Sequence, residues 1–305
     1  MFTYAAAAKL TALALVGAAA VYIHRRGRIR HRFTRQLTDH STFLAGYNAL
    51  IYLSSAVPAT PYLDMQGFPD ALKLRENWTT IRDEALALFK TGQIRAATKY
   101  NDLGFNSFFR SGWRRFYLKW YDEFLPSAQE LCPKTVELLR SCPSVHGAMF
   151  ALLEAGGRLV THRDPFAGSL RYHLGLSTPN SPDCYILVDG QPYYWRDGEG
   201  VVFDETYIHT AENKTQQPRI ILFADVERPL RTRFMTAINR FVIHHFVKAT
   251  ASQNMDHEPV GVLNHVFAVA YRVRLLGKRI KQHNKTLYYA LKYVLLGALV
   301  YLIVF

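Results

Sequence analysis

His162, Asp164 and His209 carry side chains that can together bind a metal ion. In an extended segment residues i and i+2 point to the same side, so His162 and Asp164 can offer an imidazole and a carboxylate to one ion. His209 lies 47 positions later (209 − 162) and must be brought in by the fold. Two histidines and one carboxylate on one face, with open positions opposite, form the ligand set of non-haem Fe(II) oxygenases. The pattern is compatible with an iron site, but His-x-Asp alone also arises wherever two polar residues lie in a turn, so this alternative stays open at this point.

Arg219 adds a candidate anion-binding group. It stands ten positions after His209 (219 − 209), at the head of the apolar run at residues 220–223. A guanidinium can hold a carboxylate through two parallel hydrogen bonds, so Arg219 is a candidate for binding the carboxylate of a co-substrate. Asp204 and Glu205 are candidates to accept a hydrogen bond from the free ring N–H of a histidine ligand.

The triplet at residues 162–164 has a second interpretation, because His-Arg-Asp also opens the catalytic loop of protein kinases. That loop carries an asparagine five positions after its aspartate, where this sequence has Ser169. The sequence also lacks a glycine-rich phosphate loop and an Asp-Phe-Gly motif. These differences exclude a kinase.

Several further short sequence motifs occur around the three candidate ligands. They are Cys132-Pro133-Lys134-Thr135, Arg171-Tyr172-His173-Leu174-Gly175-Leu176, Phe203-Asp204 before His209, and Arg219 in a predicted strand. Because they contain these motifs, residues 132–230 resemble the aspartyl/asparaginyl β-hydroxylase family of Fe(II)/2-oxoglutarate dioxygenases. Within that family, residues 162–169 and 203–209 are most similar to the bacterial lipid A 2-hydroxylases.

The resemblance implies a role for each matched residue. It implies His162 and His209 as iron ligands, and Arg219 as the anchor of the far carboxylate of 2-oxoglutarate. It places Arg171 and His173 near the other end of 2-oxoglutarate. The animal peptide hydroxylases of the family have glycine where Asp164 stands, and water completes their iron shell. Asp164 is therefore predicted as a third protein ligand.

A second difference lies at Ala151, where the animal enzymes have a serine that helps to hold 2-oxoglutarate. The implied reaction uses Fe(II), 2-oxoglutarate and O2, converts 2-oxoglutarate to succinate and hydroxylates an unactivated C–H bond. The family resemblance and the predicted membrane anchors together predict 2-hydroxylation of a secondary acyl chain of lipid A. Three alternatives stay open: an ornithine-lipid hydroxylase, a peptide aspartyl/asparaginyl hydroxylase, and a non-enzymatic module that binds lipid headgroups.

The charge balance of the chain points to acidic partners. With 37 lysines and arginines against 24 acidic residues, the formal net charge is +13. Such basicity favours anionic lipid, nucleic acid or a phosphorylated substrate. The predicted partner is an acylated anionic lipid at a membrane, with nucleic acid disfavoured and no obligate protein partner indicated. The odd count of three cysteines argues against a disulfide scaffold and fits a reducing compartment.

Both ends of the chain carry long apolar runs. Residues 4–23 contain Lys9 as their single charge, and residues 287–305 contain Lys292 as theirs. Each run is long enough to cross a bilayer as a helix. A basic cluster follows the first run and another precedes the second, so the positive-inside rule predicts a two-pass inner-membrane protein with a cytoplasmic catalytic domain. The alternatives are a signal peptide at the start and a C-terminal helix buried in a protein groove.

The predicted fold is α+β, a double-stranded β-helix, or jelly roll, with flanking helices and a transmembrane helix at each end. Residues 24–130 are predicted as a helical membrane-proximal region, with residues 71–90 at helical spacing. Residues 105–124 interleave aromatic with basic side chains; they are predicted as a packed helix, with a membrane interface or a base-stacking surface as alternatives.

Short β-like segments separated by Gly, Pro, Asn and Asp predict the jelly roll at residues 131–230. The predicted turns are at residues 156–157, 179–180, 189–190 and 197–198. A jelly roll lets ligands from distant strands meet at one mouth, which suits the separation of the two histidines. Amphipathic basic helices are predicted at residues 231–286.

Overall fold

The structure is a computed structural model that describes residues 4–36, 39–97, 102–121 and 123–304. In this part of the chain the α-helices are α1 (Tyr4–Arg25), α2 (Phe33–Gln36), α3 (His40–Phe43), α4 (Ala45–Ser54), α5 (Pro69–Glu76), α6 (Trp78–Lys90), α7 (Pro126–Leu131), α8 (Pro133–Arg140), α9 (Arg233–Val242), α10 (Val262–His283) and α11 (Lys285–Val304). Short 3₁₀ helices occupy Met65–Gly67, Phe108–Ser111 and Lys248–Thr250, and one π-helical turn occupies Ile243–Val247.

The strands form two antiparallel sheets. They are β1 (Tyr62–Leu63), β2 (Trp113–Trp120), β3 (Glu123–Phe124), β4 (Val145–Leu153), β5 (Ser169–Ser177), β6 (Cys184–Val188), β7 (Gln191–Tyr194), β8 (Gly200–Phe203), β9 (His209–Asn213) and β10 (Arg219–Glu227). The larger sheet has the order β1-β8-β5-β10-β4-β2-β3, and the smaller one has the order β7-β6-β9. Helices and antiparallel sheets together confirm the predicted α+β class, and the two-sheet arrangement agrees with a jelly roll.

The centre of the larger sheet is buried on both faces. Strand β10 pairs with β4 on one side and with β5 on the other, and every residue of β4 is buried. The apolar runs that predicted strands near residues 148–153, 170–176 and 219–225 therefore reflect strands buried on both faces. This register also brings Phe223 of β10 opposite both Met149 and His173.

The smaller sheet depends on a tight hairpin turn. Asp189 and Gly190 join β6 to β7, and their φ angles are 51° and 81°. Two positive φ angles in a two-residue loop are the geometry that favours Asp-Gly, because its twist matches that of the flanking strands. The predicted turn at residues 189–190 is confirmed.

The aromatic stretch at residues 105–124 was predicted as one helix, and that prediction is wrong, because the stretch contains a short 3₁₀ helix at Phe108–Ser111 followed by strands β2 and β3. Strand β2 lies between β4 and β3, and seven of its eight residues are buried. A strand buried on both faces has no alternation of polar and apolar residues, so periodicity does not distinguish it from a buried helix. The larger sheet thus also includes strands from the region at residues 24–130 that was predicted as helical.

Helices α1 and α11 occupy the two ends where membrane spans were predicted. Within the described residues, no helix has both the length and the apolar content that crossing a membrane requires. The predictions of transmembrane spans at residues 4–23 and 287–305, and of a two-pass topology, are therefore not supported by the structure.

The segment after α1 is bound to the loops of the two sheets. Arg26 forms an ion pair of 2.6 Å with Asp204, and Arg228 forms one of 2.8 Å with the same carboxylate. The Asp189 carboxylate also accepts hydrogen bonds from the backbone N–H groups of residues 28 and 29. Gly27 has a φ of +85°, and a Cβ added there would lie 2.7 Å from Asp189, so this close approach requires glycine. The N-terminal segment is therefore part of the fold around Asp204.

Candidate active site

A pocket with an empty volume of about 450 Å³ lies between the two sheets. All six residues predicted for the site line it: His162, Asp164, Arg171, His173, His209 and Arg219. The rest of the lining is apolar, with Phe105, Phe108, Trp113 and Phe223 contributing aromatic rings. Residues from β5, β9, β10 and the loop after β4 therefore meet in one place, as the predicted fold requires.

His162 and His209 are brought together by a short antiparallel bridge. The backbone N–H of His162 donates to the carbonyl of His209 at 3.0 Å, and the N–H of His209 donates to the carbonyl of His162 at 2.8 Å. Their ring centroids are 4.2 Å apart at an interplanar angle of 57°. The backbone itself thus sets the spacing of the two imidazoles.

Each imidazole is oriented by a backbone carbonyl. Nδ1 of His162 lies 2.7 Å from the carbonyl of Val160, and Nδ1 of His209 lies 2.9 Å from the carbonyl of Tyr207. Because a carbonyl can only accept, Nδ1 carries the hydrogen and Nε2 keeps a free lone pair, which is the tautomer that a metal ligand needs. The prediction that Asp204 or Glu205 accepts this hydrogen bond is therefore wrong.

Electrostatics keep both rings neutral at physiological pH. Burial, followed by the neighbouring His209, lowers the pKa of His162 to about 3. Burial also lowers the pKa of His209. Metal ions bind the deprotonated Nε2 atom, so these shifts keep both histidines in the ligand form.

Asp164 completes the cluster. Its Oδ1 is 3.5 Å from Nε2 of His162, and the ligand atoms of His162, Asp164 and His209 all lie within 4.8 Å of one another. Burial raises the pKa of Asp164, but the neighbouring guanidinium of Arg171 opposes it, and the pKa is lowered to about 2. The donor set is thus two neutral imidazoles and one carboxylate, which fits a non-haem Fe(II) ion.

Arg171 is held by three carboxylates. It forms ion pairs with Asp164 at 2.9 Å, with Asp225 at 2.9 Å and with Glu205, and its guanidinium lies 3.6 Å from the ring centroid of Phe223. Its side chain therefore orients Asp164 toward the histidines. The predicted contact of Arg171 with 2-oxoglutarate stays a prediction.

Sequence reasoning singled out Glu205 for another role, and it missed Asp225 and the acidic group that the two residues form behind Asp164. Burial raises the pKa of Glu205 well above its usual range and also raises that of Asp225. The hydroxyl of Ser169 donates to Glu205 at 3.0 Å, and that of Tyr121 donates to Asp225 at 2.9 Å. No motif marks this group, because Asp225 faces Arg171 through strand pairing alone.

Arg219 is a buried cation without an anionic partner among the described residues. It is 2% exposed, its guanidinium lies 4.3 Å from the ring centroid of Trp195, and its Nε has no hydrogen-bond partner. Burial lowers its pKa to about 10, so it stays protonated at neutral pH. An unpaired buried charge is costly, which indicates that the pocket is built to receive an anion.

His173 offers a second set of unsatisfied polar atoms. Both ring nitrogens are buried without hydrogen-bond partners, and the ring packs against Phe203 and Phe223 with centroid distances of 4.9 Å and 5.1 Å. Burial, followed by Arg219, lowers the pKa of His173 well below its usual value, so the ring is neutral. A neutral imidazole beside a guanidinium can donate to or accept from a bound carboxylate.

The fold and the donor set define a class of hydroxylases, and comparison with known families identifies the same class. The family model described as aspartyl/asparaginyl beta-hydroxylase matches residues 75–229, which is 155 of 305 residues (229 − 75 + 1). The chain belongs to the aspartyl/asparaginyl β-hydroxylase family. The resemblance found from the sequence motifs is thereby confirmed.

Two individual proteins are similar in sequence to part of this chain. The chain is 29% identical over 212 residues to the ornithine lipid ester-linked acyl 2-hydroxylase of Rhizobium tropici, covering 65% of this chain and 73% of that protein. It is 29% identical over 189 residues to the human aspartate beta-hydroxylase domain-containing protein 2, covering 59% of this chain and 50% of that protein. It thus spans about half the length of the human relative.

Solved structures give weaker matches. A Pseudomonas putida prolyl-4-hydroxylase is 15% identical with a TM-score of 0.34, covering 50% of this chain and 87% of that one. The cupin domain of a transcriptional regulator from Enterobacter cloacae is 14% identical with a TM-score of 0.28, covering 39% of this chain and 99% of that one.

Proposed function

We propose that this protein is an Fe(II)- and 2-oxoglutarate-dependent dioxygenase that hydroxylates an unactivated C–H bond. The observation that carries the proposal is the meeting of two neutral imidazoles and an ionised carboxylate beside the unpaired guanidinium of Arg219. A metal cluster alone has many uses. A buried guanidinium without an anionic partner among the described residues, beside these ligands, fits a co-substrate that chelates the metal and ends in a second carboxylate.

Each residue of the pocket has a defined task in this proposal. His162, Asp164 and His209 would hold Fe(II) on one face, and Arg219 would pair with the far carboxylate of 2-oxoglutarate. Fe(II) and 2-oxoglutarate held there would supply the oxidative chemistry: 2-oxoglutarate and O2 would be converted to succinate and CO2, and the second oxygen atom of O2 would enter the C–H bond. The aromatic walls exclude water, and Phe108 closes one side with its centroid 4.7 Å from that of His162.

The substrate we propose is an acyl chain of a membrane lipid. Three observations support it: the apolar walls of the pocket, the similarity of residues 162–169 and 203–209 to lipid A 2-hydroxylases, and the acyl 2-hydroxylase activity named for the Rhizobium tropici relative. We assign the reaction to the 2-position of a secondary acyl chain of lipid A, at the cytoplasmic face of the bacterial inner membrane. Ornithine lipid is the second candidate, because the Rhizobium protein is named for it.

Mass spectrometry of lipids from cells with and without the protein tests the substrate. We expect a lipid A acyl chain to gain the mass of one oxygen when the wild type is present, and not with His209→Ala. A gain on ornithine lipid alone would transfer the assignment to that lipid. If neither lipid gains oxygen, the lipid substrate is wrong.

Iron-dependent release of succinate from 2-oxoglutarate tests the reaction itself. We expect release from the wild type and none from His209→Ala. Absence of succinate from folded, iron-loaded wild-type protein with lipid substrate present would overturn the dioxygenase proposal.

A further inference from the structure

A second, open groove adjoins the metal pocket. Its empty volume is about 1170 Å³, and its lining includes three arginines, Arg35, Arg110 and Arg158. The lining contains one acidic residue, Glu154, and its carboxylate is bound by Arg114 at 2.9 Å. The groove is therefore a positively charged surface of the described chain.

The groove and the metal pocket share one stretch of backbone. Leu159 and His162 line the metal pocket, whereas Val160 and Thr161, which lie between them, line the groove. Arg35 reinforces this boundary, since its Nη2 donates to the carbonyl of Thr161 at 2.9 Å. A ligand in the groove therefore lies within a residue or two of the iron ligand His162.

Two of the three arginines of the groove, Arg110 and Arg158, are exposed. Arg158 is exposed and forms no ion pair within the described residues, and its backbone rather than its side chain holds it to Ser111 at 3.1 Å. Arg110 is exposed and donates a hydrogen bond to the hydroxyl of Tyr271 at 2.9 Å, and it forms no ion pair with another residue that the structure describes. Two exposed guanidinium groups on one concave surface favour a multivalent oxyanion.

Three glycines line the groove, and their backbone is not covered by side chains of their own. Gly112 has a φ of +81°, and a Cβ there would lie 3.3 Å from Cα of Gly157, so these two backbones approach more closely than larger residues allow. Gly156 has a φ of +70°, and a Cβ there would meet open space. A headgroup can therefore lie directly against the backbone between the arginines.

We propose that this groove binds a phosphate group on the headgroup of the substrate lipid while the acyl chain of the same molecule enters the metal pocket. The inference rests on the proposed function and narrows it to a phosphorylated, acylated lipid. Phosphate is the group that a fork of guanidinium N–H donors recognises best. An ornithine headgroup is zwitterionic, because it carries a carboxylate beside its ammonium, and it therefore offers the arginines a single carboxylate in place of a phosphate.

Binding to lipid vesicles tests the groove without relying on turnover. The probes are phosphatidylcholine vesicles containing lipid A with both phosphates, the same vesicles containing lipid A with its phosphates removed, and plain phosphatidylcholine vesicles. The proteins are the full-length wild type and Arg110→Gln/Arg158→Gln. Arg75→Gln removes an exposed arginine outside the groove lining, and Tyr271→Phe removes the hydroxyl bonded to Arg110 but keeps the cation.

We expect the wild type to prefer phosphorylated lipid A and the double variant to lose about tenfold in affinity for it. Both control variants should bind as the wild type does. Equal binding by the wild type to lipid A with and without phosphates, or an unchanged affinity in a folded double variant, would overturn the proposal. Inorganic phosphate that competes at the same concentration as the lipid would assign the groove to a soluble anion instead.

Succinate release, measured in parallel, separates this inference from the proposed function. Loss of phosphate-dependent binding in the double variant, in a protein that releases no succinate, would support the groove and overturn the dioxygenase. Equal turnover of lipid A with and without its phosphates, in the wild type and in the double variant alike, would support the dioxygenase and overturn the groove.

Discussion

His162 and His209 exchange backbone hydrogen bonds of 3.0 Å and 2.8 Å, so two residues that are 47 positions apart face each other as a single bridge. Each imidazole is then aimed by a carbonyl two residues before it in the chain. The ligand geometry thus depends on the main chain, which changes little when neighbouring side chains are replaced.

Replacing either histidine should abolish metal binding. In His209→Ala, a single imidazole and Asp164 remain, and we expect iron affinity to fall by more than about a hundredfold, because even the partners of metal ligands contribute ten- to a hundredfold. Metal titration followed by calorimetry measures this. His244→Ala is the matched control, since His244 is exposed on the π-helical turn and should bind iron normally.

Arg219→Met should weaken the binding of 2-oxoglutarate without lowering the stability of the fold. We expect the affinity for 2-oxoglutarate to fall about a hundredfold, because the carboxylate would lose its buried cationic partner. Without 2-oxoglutarate, the free energy of unfolding should not fall, since the substitution removes an unpaired buried charge. Denaturant unfolding and a 2-oxoglutarate titration measure the two effects. A large loss of stability with unchanged 2-oxoglutarate affinity would make Arg219 a structural residue.

Arg171 should act on the metal through Asp164. We expect Arg171→Gln to lower the free energy of unfolding by about 3–5 kcal/mol, because Asp164, Glu205 and Asp225 would lose their shared cation. Metal affinity should fall about ten- to a hundredfold. Denaturant unfolding and metal titration report the two losses, and Arg171→Lys should restore part of both. Unchanged metal affinity in a folded Arg171→Gln variant would contradict this positioning role.

Asp204 should make stability depend on acid pH. Burial raises its pKa, but the guanidinium groups of Arg228 and Arg26 outweigh burial and hold the pKa well below the usual 3.8. A carboxyl with a lowered folded-state pKa stabilises the protein above its unfolded-state pKa, and this contribution is lost as pH falls toward the folded-state value. The difference in unfolding free energy between the wild type and Asp204→Asn should therefore be full at pH 6 and shrink below about pH 4.

Denaturant unfolding across this pH range measures the difference. Asp183→Asn, at an exposed position, is the control and should show little difference from the wild type at any pH. A constant gap between the wild type and Asp204→Asn down to pH 2 would show that the ion pairs with Asp204 do not contribute as described.

The chemical character of the site was visible in the sequence, whereas its supporting contacts were not. His162, Asp164, His209 and Arg219 were identified because the motifs around them resemble those of a known family, whereas the His-x-Asp spacing alone is common. The position of Asp225 beside Arg171 follows from the pairing of β5 with β10, which no local pattern encodes. Groups that support a ligand from a neighbouring strand therefore escape sequence reasoning.

Strands β9 and β2 were not predicted because neither shows an alternation of polar and apolar residues. Strand β9 (His209–Asn213) has buried residues at alternate positions, yet those residues include His209 and Asn213. Asn213 is buried because its side-chain amide donates to three backbone carbonyls. A strand whose inward positions are polar gives no alternation of hydrophobicity, just as β2 gives none because both of its faces are buried.

The family model begins at residue 75, but Arg26 reaches across 178 positions to share the Asp204 carboxylate with Arg228. Asp204 lies five residues before His209, in the loop that leads into β9. A protein trimmed to the portion common to its relatives would keep Arg228 but lose Arg26 as an ion-pair partner of Asp204, at the edge of the candidate metal site. The leading segment of the chain is in this sense a component of the enzyme, and homology alone marks the borders of the catalytic unit too narrowly.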